Sequence, residues 1–251
     1  MVNDICLLDL GNSRFKWRWV GRGGAAGPSH RRPYGGAGSV AELIAALRAS
    51  GEGRELCVAS VRDAEFEAAL REHWTAVCDR APRFLRVPEA GPLRLAYRDP
   101  SRFGVDRYLA LLGARSQFRA PLIVVDAGTV VTFDALDVHG DHLGGCLFPG
   151  LRLLRESLQR GAAGLAGQGA APVGDVLADS TAGGLAGGVQ VGLAGALRAI
   201  VAEMRQRMGE AAPTVVVTGG DADVVAAALG GQCVVEPDLV FLGMEAMLAL
   251  A

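Results

Sequence analysis

The sequence predicts an α/β fold built from two similar halves, and two observations carry that prediction. Short apolar runs alternate with stretches whose apolar residues recur at helical spacing, the pattern of a largely buried sheet flanked by helices. The opening run "ICLLDLGN" is then echoed by "LIVVDAGT", so that Asp9, Gly11 and Asn12 answer to Asp126, Gly128 and Thr129.

Taken in order, "ICLLDLG" and "FKWRWV" read as the first two strands, and the glycine-rich piece from Gly21 to Gly38 as a turn and a loose connection. "SVAELIAALRAS" is a helix behind a serine cap, "ELCVAS" a short buried strand and "AEFEAALREHW" a second amphipathic helix. After the loop "YRDPSRFGVDR" comes the helix "RYLALLGARSQF", and "APLIVVDAGTVVTFDAL" repeats the opening strand pair. In "DVHGDH" the order of Asp137, His139, Asp141 and His142 imitates a metal site, but Gly140 in the middle reads as a hairpin turn. Trp17, Trp19 and Trp74 are expected in the core or at an interface.

With 251 residues, half of them hydrophobic, the chain can bury a substantial core; the two halves divide it into domains 1–115 and 116–251. A formal net charge of -2, with no basic stripe and no helix-turn-helix, offers nothing to hold a nucleic acid backbone, so the expected partner is a small molecule. No run reaches about 18 uninterrupted apolar residues, and "MVNDICLLDLG" lacks the basic start and long apolar stretch of a signal peptide. No membrane contact and a cytoplasmic location are therefore expected. The cysteines Cys6, Cys57, Cys78, Cys146 and Cys233 are odd in number and never spaced C-x-x-C, which points to plain buried thiols.

The chemistry gathers where strands end. The first hairpin delivers Asp9, Asn12, Ser13 and Lys16 around Gly11, and the second delivers Asp126 and Thr129 around Gly128. Backbone amides and small polar side chains in such turns can face a phosphate chain, while the carboxylates hold a cation or its waters. A single strand-end acid is as well explained as a turn residue, and Lys16 as a solvated side chain; it is the matched pair of hairpins that argues for a nucleotide clamp. Neither G-x-x-x-x-G-K-[ST] nor G-x-G-x-x-G after the first strand is present. Asp106 beside Arg107, on a glycine-started loop before a helix, can take a proton from an alcohol while the arginine holds an anionic oxygen. Taken alone, that string also fits a helix N-cap acid with a solvated arginine, and Thr181 in "ADSTAGG" by default caps the helix that follows.

The strings "DLGNSRFKW", "YRDPSRFGVDR", "DAGTVVTFD", "GGCLFPGLRLLRESL", "STAGG" and "TGGDA", in this order and at compatible spacings, resemble the motifs of the type III pantothenate kinases from about Ile5 to about Gly243. That family belongs to the acetate and sugar kinase, heat-shock chaperone and actin superfamily. The resemblance implies a duplicated ribonuclease H-like (actin-like ATPase) fold of two domains, with the active site in the cleft between them. It implies ATP-dependent phosphorylation of the 4'-hydroxyl of pantothenate, the first step towards coenzyme A. It places ATP on Asp9, Gly11, Asn12, Ser13 and Lys16, with Thr129 and with Gly219 and Gly220 of "TGGDA". It makes Asp126 the ligand of a potassium or ammonium ion, with Mg²⁺ accompanying ATP. Gly104, Val105, Asp106 and Arg107 become the pantothenate loop, with Asp106 as proton acceptor and Tyr97 and Thr181 as further substrate contacts. A homodimer is implied as well, and the Gly/Ala-rich stretch after "STAGG" supplies small residues for close helix packing. Two alternatives stand beside it: a non-catalytic accessory factor for transcription, against which the missing basic stripe speaks, and a sugar kinase of the same superfamily, which would lack the Gly104 to Arg107 loop.

Overall fold

The structure, a computed structural model, describes residues 5–21, 24–34, 39–165, 175–209 and 212–249. The elements run β1 Ile5–Leu10, β2 Arg14–Val20, β3 His30–Pro33, α1 Val40–Ser50, β4 Glu55–Ser60, α2 Ala64–Cys78, β5 Arg83–Phe84 and α3 Val105–Gln117. They continue with β6 Leu122–Ala127, β7 Val130–Leu136, β8 His142–Pro149, α4 Leu151–Gly161, α5 Thr181–Met208, β9 Thr214–Gly219, α6 Ala222–Ala228, β10 Val234–Val235 and α7 Leu239–Ala249.

These form two compact units, one made of Met1–Gly91, Tyr97–Ser116 and Asp238–Ala251, the other of Pro92–Ala96 and Gln117–Pro237. The chain thus passes between units more than once, where the sequence suggested one boundary after residue 115. In the first unit the sheet order is β3-β2-β1-β4-β5, with β1, β2 and β3 antiparallel and β4 and β5 parallel to β1. In the second the order is β8-β7-β6-β9-β10 with the same directions. Each unit is therefore a ribonuclease H-like sheet, and the pair is the duplicated fold of the actin-like ATPases.

Local chemistry sets the elements. The Ser39 side chain accepts from Glu42 N at the start of α1, and Asp63 Oδ1 accepts from Phe66 N at 2.8 Å at the start of α2. Leu8, Leu10, Trp17, Leu47, Leu70 and Trp74 fill the core of the first unit, and Ile123, Val125, Phe133, Leu193, Leu197 and Val217 that of the second. Each of these side chains contributes roughly 1.5–3 kcal/mol of burial.

Residues 238–249 return to the first unit because α7 is apolar except at Glu245 and packs against α3 with the backbones in contact. A Cβ on Gly113 would lie 2.1 Å from Leu239 O, and one on Gly243 would lie 1.9 Å from Leu109 O. Arg18 on β2, 5% exposed, fixes the same helix through Asp238 at 3.3 Å, Glu245 and the Phe241 ring.

Two expectations need correcting and a third needs an addition. The piece from Gly21 to Gly38 contains β3, whose residues HRRP are polar and show no apolar alternation because they form a mostly exposed edge; residues 22–23 and 35–38 of that piece lie outside the described residues. The thiols are not uniformly buried: Cys6, Cys57 and Cys78 are, with burial pushing Cys57 up to about 11 and Cys6 higher, whereas Cys233 is half-buried and Cys146 is exposed on the edge strand β8. Finally, α5, at 28 residues, is long and apolar enough by length and composition to cross a membrane, although no uninterrupted apolar run reveals it. Its buried residues Ala186, Val189, Leu193, Leu197 and Val201 lie on one side of the helix, and the last three pack in the second core, as the face of an ordinary core helix does.

Candidate active site

The first hairpin closes at Gly11, whose N donates to Arg14 O at 3.2 Å. Asp9 is half-buried and register-paired with Lys16, while Asn12 is exposed and Ser13 half-buried at the tip. A residue the sequence did not single out holds this turn. Tyr34, just past β3, donates its hydroxyl to Gly11 O at 3.1 Å and its N to Ser13 O at 3.4 Å, under the Arg62 guanidinium. Burial pushes the Tyr34 phenol up to about 12, so it stays protonated and keeps donating.

In the second hairpin Asp126 is half-buried and register-paired with Thr132 on β7 and with Thr218 on β9. Gly219 has φ +99, and a Cβ there would meet Asp126 Oδ1 at 2.5 Å, so only glycine lets the carboxylate lie against the end of β9. Gly150, at the start of α4, donates its N to Thr129 O at 3.0 Å and packs its Cα so close to the turn that a Cβ would reach Gly128 O at 2.4 Å. Gly220 sits half-buried in the turn behind β9. The Thr218 hydroxyl is buried without a hydrogen-bond partner.

The string "DVHGDH" is the hairpin turn that the sequence suggested. Gly140 has φ +80, and Asp137 Oδ1 accepts from His139 N at 2.8 Å and Asp141 N at 2.9 Å. His142 faces inward, its Nε2 3.0 Å from Asp134 Oδ1. Among the described residues no group of three or more His, Cys, Asp or Glu side chains could hold a metal.

The third constellation belongs to the first unit. The helix α3 begins at Val105, two residues before its expected start, so Asp106 lies in its first turn and not on a loop before it. Asp106 Oδ1 accepts from Arg107 N at 2.8 Å, and a Cβ on Gly104 would come within 2.5 Å of that oxygen. Arg107 is only 8% exposed: Nη1 donates to Tyr97 OH at 3.1 Å and the guanidinium lies 4.4 Å from the Phe103 ring centroid. A solvated arginine is thereby ruled out. Tyr97 and Phe103 meet edge to face at 4.8 Å. Phe103 went unnoticed in the sequence because one aromatic in a polar loop has no pattern; its "SRFG" setting beside the Asp106–Arg107 pair was the available signal.

Tyr97, Gly104, Val105, Asp106 and Arg107 are thus brought together in one short span. Asp9 to Lys16 form a turn of the same unit, and Asp126, Thr129, Gly219 and Gly220 gather in the second unit. Thr181 is the exposed first residue of α5, and the cap is its neighbour Ser180, whose Oγ accepts from Gly183 N at 3.3 Å. A polar turn in each unit can present amides and hydroxyls to phosphates, and a carboxylate beside a fixed guanidinium can orient and deprotonate an alcohol.

The family model described as type III pantothenate kinase matches residues 5–203. A type III pantothenate kinase of Halorhodospira halophila is 36% identical over 248 residues, covering 95% of each chain. Among solved structures, a Campylobacter jejuni protein described as a Baf family transcriptional activator aligns over 98% of both chains with TM-score 0.62 and 19% identity. The activator of 2-hydroxyisocaproyl-CoA dehydratase from Clostridium difficile, with bound ADPNP, aligns over 98% of this chain and 97% of its own with TM-score 0.52 and 14% identity. At such identities these two likenesses speak for the fold.

Proposed function

Because the chain belongs to the type III pantothenate kinase family, we propose that it transfers the γ-phosphoryl group of ATP to the 4'-hydroxyl of pantothenate, opening coenzyme A synthesis. The observation that carries this reading beyond membership is the Asp106–Arg107 pair, with its guanidinium held by Tyr97 and Phe103.

A phosphoryl transfer needs the acceptor oxygen in line with the γ-phosphorus and a place for its proton. Arg107, fixed by the Tyr97 hydroxyl and the Phe103 ring, directs its positive charge at a carboxylate or phosphate oxygen. Asp106 accepts the proton of the 4'-hydroxyl as the new O–P bond forms and the bond to the β-phosphate oxygen breaks, leaving ADP. Tyr97, Gly104, Val105 and Thr181 contact pantothenate. Asp9, Gly11, Asn12, Ser13 and Lys16 hold the phosphates from the first unit, and Thr129, Gly219 and Gly220 hold the nucleotide from the second.

The residues present fit the two cations that this reading calls for. Asp9 at the end of β1 suits a Mg²⁺ that is held mainly by phosphate oxygens and water, and Asp126 among hydroxyls suits a monovalent ion. When bound, both ions supply positive charge against the phosphates. The protein acts in the cytoplasm as a homodimer, with no nucleic acid or membrane partner. Support for the dimer comes from the apolar groove of about 760 Å³ between β8 and α5, lined by Leu143, Cys146, Ile200 and Met204.

A coupled assay of ADP release tests this function. Release with pantothenate and not with a panel of sugars is expected; release with a sugar and none with pantothenate would overturn it.

A further inference from the structure

Asp9 and Asp126 hold the same place in their sheets, yet their neighbours differ. Asp9 is flanked by Lys16 on β2 and Ala59 on β4, so the chain itself brings an ammonium group to the strand across from that carboxylate. Asp126 is flanked by Thr132 on β7 and Thr218 on β9, a hydroxyl at each of the two positions. Side chains at matching register positions of neighbouring strands project from the same face of the sheet, so both hydroxyls stand on the side of the Asp126 carboxylate.

Thr218 is the more telling of the two. It is 1% exposed and its Oγ1 has no hydrogen-bond partner, a costly condition for a buried hydroxyl unless something else satisfies it. Gly219, the next residue, is the one that lets Asp126 Oδ1 lie against β9. A carboxylate at the end of β6 and a buried, unsatisfied alcohol oxygen at the matching position of β9 form a hard, singly charged donor set. That set matches potassium, which takes oxygen lone pairs, and ammonium, which donates to them.

We propose that Thr218 Oγ1 is a ligand of the monovalent cation at Asp126 and sets its affinity; this rests on the cation reading of Asp126 given above. The second sheet thereby acquires from solution the positive charge that Lys16 brings to the first.

The test is thermal unfolding of the apo protein, with potassium chloride titrated against choline chloride at constant ionic strength. The unmodified protein should show a saturable rise in midpoint with potassium that choline does not give. Thr218→Val, nearly the same shape without the oxygen, should need roughly tenfold more potassium for half the effect, while its midpoint in choline stays equal or rises. Thr218→Ser should respond like the unmodified protein, and Asp126→Asn should not respond. An unshifted potassium titration in Thr218→Val would overturn the ligand role of Thr218 and leave the Asp126 reading standing. No potassium response in the unmodified protein would overturn both. Should Thr218→Val not fold, Thr218→Ala against Thr218→Ser decides by the same comparison.

Discussion

β3 and β8 are the third strands of their sheets and both lie at an edge, but they are finished in opposite ways. β3 is four residues long, with Arg31, Arg32 and Pro33 exposed, which closes it to pairing with another chain. β8 is eight residues long and exposes Leu143 at 51% and Leu147 at 57% beside Cys146. The first edge serves inward, leading directly into the Tyr34 that pins the Asp9–Lys16 turn; the second faces outward and leaves apolar side chains exposed. Duplication has kept the ladder of backbone hydrogen bonds and left side chains free to diverge, and the carboxylate–guanidinium pair at the start of α3 belongs to one unit alone.

The largest effect should fall on that asymmetry. Asp106→Asn keeps the hydrogen bond to Arg107 N within reach but cannot accept a proton, so kcat should drop by roughly 10²-fold or more with an unchanged unfolding midpoint. Retention of more than about half the turnover would remove Asp106 from the role of base. The edges come next: Leu147→Asp on β8 should weaken self-association by about tenfold or more in sedimentation, whereas Arg32→Asp on β3 should leave it as it was. Equal behaviour of the two variants would erase the contrast between the edges.

A smaller effect would sharpen the comparison of the hairpins. Thr129→Val and Asn12→Ala should each weaken ATP by about 1–2 kcal/mol in calorimetry, and together by less than the sum if both act on one phosphate chain. Unchanged affinity in both single variants would mean that phosphate is bound elsewhere. The smallest concerns Tyr34. Its raised pKa favours the protonated phenol in the folded state, so the stabilisation is complete below about 10 and is lost as pH rises towards about 12. Tyr34→Phe should cost about 0.5–1.5 kcal/mol near neutral pH and show a shallower loss across that alkaline window.

Much of this was legible in the sequence. The β1–β2 and β6–β7 hairpins announce themselves because an apolar run, an acid and a glycine fall at fixed spacing, and Ser39 marks the start of α1 because a cap acts within one turn. Where neighbouring residues could serve equally, the sequence was ambiguous: Ser180 caps α5 although Thr181 carries the same group. What depends on distant contacts was hidden. HRRP becomes a strand only by lying beside β2, α7 joins the first unit only by meeting α3, and Thr218 looks like one more strand residue in "VVVTG" until β9 lies against β6. The Asp106–Arg107 pair was legible in the sequence, while the burial of Arg107 needed the Phe103 ring in place.

The glycine-to-backbone contact between α3 and α7 bears on the order of events during synthesis. The residues of α7 emerge from the ribosome only after Gln117–Pro237, the whole long segment of the second unit, which at about 5–20 residues per second takes on the order of ten seconds. For that interval the helix bearing Asp106 lacks the partner that fits its bare face at Gly113, although every residue of the Tyr97–Arg107 cluster has already been made. A nascent chain halted before Asp238 would thus carry the Tyr97–Arg107 cluster on a unit whose α3 has no α7 to pack against.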